Sequence, residues 1–130
     1  MDSLLVLSFH PAFYPPKSGG ELRLYNICKG LSEKYRVVLV TFTYPGTKNA
    51  ETAEHTANFM EIRIPKTRIS TFLHHIVGRF SGVKECSAVV TSIESRFNRD
   101  FRRIVAEHSG NARAIIFVSP FLFTLPDRVM

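Results

Sequence analysis

The chain has 130 residues, of which 45% are hydrophobic, and a formal net charge of +6. This length suits a single domain, residues 1–130, and the hydrophobic content excludes a disordered chain. No apolar run approaches the roughly 18 uncharged residues of a membrane-spanning helix, and Asp2 stands where a secretion signal carries basic residues. We therefore expect a cytoplasmic protein. Cys28 and Cys86 lack C-x-x-C spacing, which favours buried thiols over a zinc, disulfide or catalytic role.

The first third of the chain has a strand, helix, strand pattern. Residues 3–9 and 36–42 are apolar runs, which predict strands buried on both faces. Between them, apolar residues follow the one-sided i, i+3, i+4, i+7 spacing of a helix packed on a sheet, at Leu24, Ile27, Cys28 and Leu31. The pattern predicts a βαβ unit with a right-handed crossover.

The middle of the chain is less regular. Residues 48–58 are polar without a clear period, which predicts a loop or a short helix. Residues 59–64 alternate between apolar and polar and are followed by Pro65, so we expect a strand near the sheet edge. Residues 70–80 predict a helix, made irregular by nearby glycines, whose apolar face holds Phe72, Leu73, Ile76, Val77 and Phe80.

A longer helix and a last strand follow. Thr91 and Glu94 form a T-x-x-E capping box, and Gly110 marks the helix end. The predicted buried stripe contains Ile93, Phe97, Phe101, Ile104, Val105 and His108. Residues 112–119 then predict a fourth buried strand, which Pro120 closes.

These elements predict an α/β fold: a Rossmann-like parallel sheet with helices on both faces and strand order 3-2-1-4. Such a sheet usually continues past its fourth strand. We therefore interpret the chain as an incomplete amino-terminal half of a larger protein.

The loop after the first strand lies where strand order reverses, which is where open α/β sheets bind ligands. Ser18 and Glu21 form an S-x-x-E capping box that places Gly19 and Gly20 in the first turn of a helix. Free amides and the helix dipole favour an anion there, and glycines let a phosphate approach the backbone. The G-x-x-x-x-G-K-[ST] and G-x-G-x-x-G phosphate motifs are absent.

Residues 4–42, LLVLSFHPAFYPPKSGGELRLYNICKGLSEKYRVVLVTF, resemble the amino-terminal region of GT-B glycosyltransferases, particularly the retaining family 4 type. The resemblance covers about a third of the chain, and only the order of elements agrees beyond it. Sugar-nucleotide epimerases of the same fold share a similar glycine-bearing loop.

The resemblance implies two Rossmann-like domains with a cleft between them, of which this chain is the acceptor side. In that family the glycine loop contacts the donor diphosphate, a role that carries over to Ser18, Gly19 and Gly20. The nucleotide-sugar half, with its E-x7-E motif, is absent from the chain, so we expect no sugar transfer by these 130 residues alone. The family needs no cofactor or metal and stabilises the leaving diphosphate electrostatically.

The acceptor-side candidates are His10, Tyr14, Lys17, Arg23 and Ser119. Each has a structural alternative: backbone bonding for His10, loop packing for Tyr14, solvated side chains for Lys17 and Arg23, and no ligand contact for Ser119. His74 and His75 are adjacent and cannot share a helical face, which argues against a two-histidine metal site.

Residues 63–103 hold nine basic residues against three acids, the whole of the net charge. This segment would suit peripheral contact with the inner face of an anionic membrane. The alternative is that it forms an ordinary solvated surface. The stripe of residues 72–80 suits a carbohydrate or lipid-linked acceptor, although packing against the rest of the domain explains it as well. No nucleic-acid partner is expected, because interleaved aromatic residues and RNA-binding signatures are absent. An exposed apolar face would favour a homodimer.

Two functional hypotheses remain from the sequence. The first is the amino-terminal domain of a glycosyltransferase that uses a nucleotide-sugar donor. The alternative is a non-catalytic nucleotide- or phosphate-binding module that acts through protein partners.

Overall fold

The computed structural model describes residues 1–9, 12, 15, 17–43, 47–69, 72, 75, 76, 79, 94 and 96–118. Within them, the elements in chain order are β1 (Ser3–Leu7), α1 (Gly19–Leu31), β2 (Arg36–Phe42), β3 (Glu51–Thr56), β4 (Phe59–Ile64), α2 (Arg99–Ser109) and β5 (Ala112–Phe117). The described residues of the predicted helix at 70–80, which are 72, 75, 76 and 79, have helical backbone.

The strands form one sheet in the order β3-β4-β2-β1-β5. β4, β2, β1 and β5 run parallel, which confirms the predicted order 3-2-1-4 for the four apolar strands. The bounds of β2 and β4 match the prediction, whereas β1 ends at Leu7, two residues earlier. The fold is a Rossmann-like α/β sheet.

The prediction of a loop or short helix at residues 48–58 was wrong, because residues 51–56 form β3. This strand pairs antiparallel with β4 across the turn at Ala57 and Asn58, where the Thr56 hydroxyl accepts a bond from the Asn58 amide. β3 is an edge strand with no fully buried residue. A strand that buries no face needs no apolar alternation, so the hydrophobic pattern gave no signal.

The core lies on both faces of the sheet. On one face, Leu24 and Cys28 of α1 pack with Val6, Val37 and Leu39 of the strands. On the other, α2 contributes Phe101, Ile104 and Val105 to a larger cluster with Leu5, Leu7, Phe9, Val38, Val40, Phe42 and Ile64. The prediction of helices on both faces is confirmed.

The prediction of a buried fourth strand at residues 112–119 was wrong: β5 ends at Phe117, is an edge strand and has no fully buried residue, and Ile116 and Val118 are exposed. Two residues of the predicted helix stripes are exposed as well. Ile27 lies on the solvent-exposed flank of α1, whose buried stripe is centred on Leu24 and Cys28. Phe97 is 66% exposed: its own backbone is helical, but the chain leaves the helical conformation at Asn98 and α2 begins at Arg99, so Phe97 does not share one continuous helix with Phe101. Gly110 stands at the C-cap of α2, as predicted.

The predicted T-x-x-E box does not cap α2. Thr91 lies outside the described residues, and Glu94 is fully buried, where it binds the backbone amide and hydroxyl of Thr67, both at 2.8 Å, and the Asn98 side-chain amide at 2.8 Å. The N-cap is Asn98, whose Oδ1 accepts a bond from the Phe101 amide at 3.1 Å. Its Nδ2 also donates to the Pro65 carbonyl, so Asn98 ties the start of α2 to the end of β4.

We expect Asn98→Ala to lower the free energy of unfolding by about 2 kcal/mol, at the upper end for lost helix caps. The reason is that the substitution also leaves the buried Glu94 carboxylate without one donor. Urea denaturation measures the effect. Arg103→Ala, which removes exposed ion pairs of the same helix, should change it by less than about 1 kcal/mol. Equal effects of the two substitutions would contradict the role of Asn98.

Candidate functional site

The start of α1 lies at the carboxyl edge of the parallel strands. The other end of α1 is at the amino edge, where the Ser32 carbonyl accepts a bond from Asn58, the residue before β4. From β1 the chain turns first to β2 on one side and later to β5 on the other, so β1 is the point at which strand order reverses. Open α/β sheets bind ligands in the crevice beside that point.

The predicted cap at this helix start is present. The Ser18 Oγ accepts a bond from the Glu21 amide at 3.3 Å, and Ser18 has extended backbone. Glu21 differs from the usual box, because its Oε2 accepts from the Lys17 amide at 2.6 Å instead of from the cap residue itself. Ser18 and Glu21 together satisfy two backbone donors and fix the direction in which the chain enters the helix.

Gly19 and Gly20 stand in the first turn of α1, as predicted, and both are exposed. A Cβ atom built on Gly19 meets no atom of the described structure within 4 Å, and one on Gly20 meets only the Ser18 Oγ at 3.9 Å. Packing of the described residues therefore does not require glycine at either position. The amides of Gly19 and Gly20 have no acceptor among the described residues, and the helix dipole favours an anion beside them.

The loop that leads to this helix is held by two side chains of β4. Ala12, fully buried within the loop, donates its amide to the Glu61 Oε1 at 2.9 Å. Its carbonyl accepts a bond from the Arg63 guanidinium at 3.3 Å. Glu61 is itself fully buried and also binds Arg63 at 2.9 Å, His55 at 2.7 Å and the Thr41 hydroxyl at 3.2 Å. We call Glu61, Arg63 and His55 the β3–β4 polar cluster.

Lys66 lies at the same edge of the sheet but on the opposite face. Its ammonium lies 4.4 Å from the centre of the Phe9 ring. Phe9 is the second residue after the end of β1. Burial lowers the pKa of Lys66, and the charge of Glu94 partly offsets that shift. No carboxylate of the described residues lies within 4.0 Å of it.

Of the predicted acceptor-side residues, Lys17 and Arg23 are exposed on either side of the glycine turn. His10, Tyr14 and Ser119 lie outside the described residues.

Cys28 is fully buried, as predicted. Its burial, and to a smaller extent the charge of Glu61, raise the pKa of its thiol to about 12. Such a thiol carries almost no thiolate near neutral pH and has no nucleophilic role. Cys86 lies outside the described residues.

The basic segment is less uniformly exposed than its composition predicts. Arg63 belongs to the β3–β4 polar cluster and its side chain is only 11% exposed, so it is not part of a surface patch. Lys66 is also partly buried. The exposed cations of the segment, within the described residues, are Arg68, Arg79, Arg96, Arg99 and Arg103.

A groove of about 660 Å³ lies at the opposite, amino edge of the sheet. Its lining includes Arg36, His108 and Arg113, and Arg113 forms an ion pair with Asp2. This edge is not where open α/β sheets bind ligands, so we assign it no role.

Within the described part of the chain, no helix is both long and apolar enough to cross a membrane. The same residues contain no group of three or more His, Cys, Asp or Glu side chains placed to hold a metal ion. His75 is exposed, and His74 lies outside the described residues.

Comparison with known proteins gives little direct assignment. No protein-family model matches the chain, and no curated protein does. Among solved structures, a chain described as "Trehalose-6-phosphate from E. coli bound with UDP-2-fluoro glucose" matches with a TM-score of 0.46 and 15% identity. The match covers 98% of this chain and 30% of that chain. At this TM-score it carries no argument about the site, and membership of glycosyltransferase family 4 stays a prediction.

The sequence analysis missed the β3–β4 polar cluster. A signal was present, because the alternation of residues 59–64 places Phe59, Glu61 and Arg63 on one face of the strand and Met60, Ile62 and Ile64 on the other. Both faces carry a large apolar residue, so both are buried. A carboxylate and a guanidinium two positions apart on a buried face predict an internal ion pair.

Proposed function

We propose that the chain is the amino-terminal, acceptor-side domain of a glycosyltransferase that takes a nucleotide-sugar donor. In this proposal Ser18, Gly19 and Gly20 form the seat for the donor diphosphate, and the acceptor, a carbohydrate or a lipid-linked sugar, binds beside it. The donor's nucleotide and sugar would bind mainly to a second domain. No metal or other cofactor is part of the proposal.

The observation that carries the proposal is the exposed first turn of α1. Two glycine amides there lack an acceptor among the described residues, at the sheet edge where strand order reverses. A diphosphate is a dianion or more, with several oxygens that accept hydrogen bonds, so it suits backbone donors at a positive helix end. Lys17 and Arg23, exposed on either side, add positive charge.

The segment that follows β4 is the part of the chain that would contact the acceptor. Ile69, Phe72 and Ile76 are exposed and spaced at i, i+3 and i+7, the spacing of one helical face. Exposed Arg68 and Arg79 flank them. Apolar side chains bordered by cations suit a lipid-linked acceptor at an anionic membrane surface, the peripheral contact expected from the sequence.

Titration of the chain with UDP, GDP and ADP tests the diphosphate seat. We expect weak binding, with a Kd of order 1 mM, because the proposed second domain makes most donor contacts. In a ¹⁵N-labelled sample, the largest amide shifts should occur at Gly19, Gly20 and Glu21. Shifts confined to the α2 arginines, or none at about 10 mM ligand, would refute the seat.

The gene sequence beyond codon 130 separates the two functional hypotheses. A second Rossmann pattern with an E-x7-E glutamate pair supports sugar transfer, and the longer protein should then transfer sugar from a nucleotide-sugar. An unrelated domain favours the non-catalytic phosphate-binding module.

A further inference from the structure

The loop between β1 and α1 is attached to the sheet in its middle, at Ala12. This residue is fully buried, and both of its backbone polar groups are bonded to β4 side chains: the amide to Glu61 and the carbonyl to Arg63. A buried backbone group requires a partner, and here neither partner comes from the ordinary strand or helix pattern. Two side chains of β4 therefore hold the middle of the loop against the sheet.

The two side chains also hold each other. The Arg63 guanidinium binds the Glu61 Oε2 at 2.9 Å, and His55 binds the same oxygen at 2.7 Å. The His55 ring packs 4.6 Å from the Phe59 ring and 5.4 Å from that of Tyr25 on α1. The cluster is thus fixed by the β3–β4 hairpin on one side and by α1 on the other, and neither carboxylate oxygen can rotate away without losing two bonds.

We propose that Glu61 and Arg63 are positioning residues for the anion seat: by holding Ala12 they set the position of Ser18, Gly19 and Gly20 six to eight residues further along the loop. The inference rests on the proposed function, because it assigns these residues to the diphosphate seat. Neither side chain touches the ligand. A loop fixed at its midpoint loses less conformational freedom when an anion binds, which favours binding.

Glu61→Gln in the full chain tests the proposal. The substitution keeps shape and one oxygen acceptor, but it places an NH2 group or a neutral oxygen against the donors of Arg63 and His55. We expect amide hydrogen exchange at Ala12 to rise about tenfold, the effect of one weakened hydrogen bond, and the Kd for inorganic pyrophosphate to rise by a similar factor.

Two controls separate positioning from general stability. Val105→Ala removes buried atoms on the other face of the sheet, so it should lower the melting temperature without changing exchange at Ala12 or the pyrophosphate Kd. Thr41→Val removes only the second donor to the Glu61 Oε1 and should have a small effect on both. If Val105→Ala changes both readouts as much as Glu61→Gln does, the positioning role is overturned.

Arg63→Met provides a second variant should Glu61→Gln fail to fold. It removes the donor to the Ala12 carbonyl but leaves the amide bonded, so the same two readouts should move in the same direction. The exchange measurement needs no ligand. Faster exchange at Ala12 with an unchanged pyrophosphate Kd would overturn the proposed positioning while leaving the seat intact, whereas absence of binding by the wild-type chain would refute the seat itself.

Discussion

Replacing both Gly19 and Gly20 with alanine is expected to make the chain more stable and at the same time a weaker anion binder. Alanine is preferred over glycine in a helix by about 0.5 to 1 kcal/mol, and no described residue stands in the way of a methyl group at either position. The same methyl groups would cover the amides that we propose to bind the diphosphate. We expect the Kd for pyrophosphate to rise at least about tenfold, measured by titration, while urea denaturation shows no loss of stability.

Gly30→Ala is the matched control for this experiment. Gly30 lies in the same helix, and a Cβ atom there also meets nothing of the described structure within 4 Å. The substitution should raise stability by a similar amount per residue and leave pyrophosphate binding unchanged. If the double variant binds pyrophosphate as the wild type does, the glycine pair is not the seat. If it unfolds instead, the turn requires glycine for a structural reason.

Phe42→Ala is expected to have the largest effect on stability of any single substitution considered. Phe42 is fully buried at the end of β2, with its ring 4.8 Å from that of Phe101 on α2 and 5.8 Å from that of Phe9 after β1. Removing the ring should lower the free energy of unfolding by about 3 to 5 kcal/mol, because β2, α2 and the segment after β1 cannot all move inward to fill the cavity. Since domains of this size are stable by about 5 to 15 kcal/mol, thermal unfolding should shift downward by about 10 °C or more.

Phe97→Ala is the matched control, and it also tests a corrected prediction. The sequence placed Phe97 in the buried stripe with Phe101, whereas the structure leaves it 66% exposed. Its truncation should change the free energy of unfolding by less than about 0.5 kcal/mol. A loss as large as that of Phe42→Ala would show that Phe97 is buried in solution.

The centre of the parallel sheet could be predicted from the sequence because β1 and β2 bury both faces. Runs such as that of β2 have apolar side chains in both directions, and their order follows from the rule for crossover connections. Leu24 and Cys28 likewise identified the buried side of α1. β3 could not be found in this way, because an edge strand is stabilised by backbone pairing to β4, which leaves no trace in hydrophobic spacing.

The candidate site also has a local part that could be predicted from the sequence and a long-range part that could not. The cap at Ser18 is a local feature, formed by residues three apart, so the sequence specified it. The attachment of Ala12 to Glu61 joins residues 49 positions apart, and only the packing of α1 and the β3–β4 hairpin brings them together. Glu94, predicted as part of a local capping box, instead accepts three bonds in the interior from Thr67 and Asn98, which are contacts that its local sequence does not reveal. Thr91 lies outside the described residues.

The pairing of β1 with both β2 and β5 has a consequence for synthesis of the chain. β2 follows β1 closely, but Ser3 pairs with Ala112, more than 100 residues later. At a translation rate of about 5 to 20 residues per second, the edge of β1 that pairs with β5 stays unpaired for roughly 5 to 20 s during synthesis. An apolar strand with a vacant edge is a template for pairing with other chains. We therefore expect the yield of folded protein from expressing cells to depend on how fast ribosomes reach the last strand.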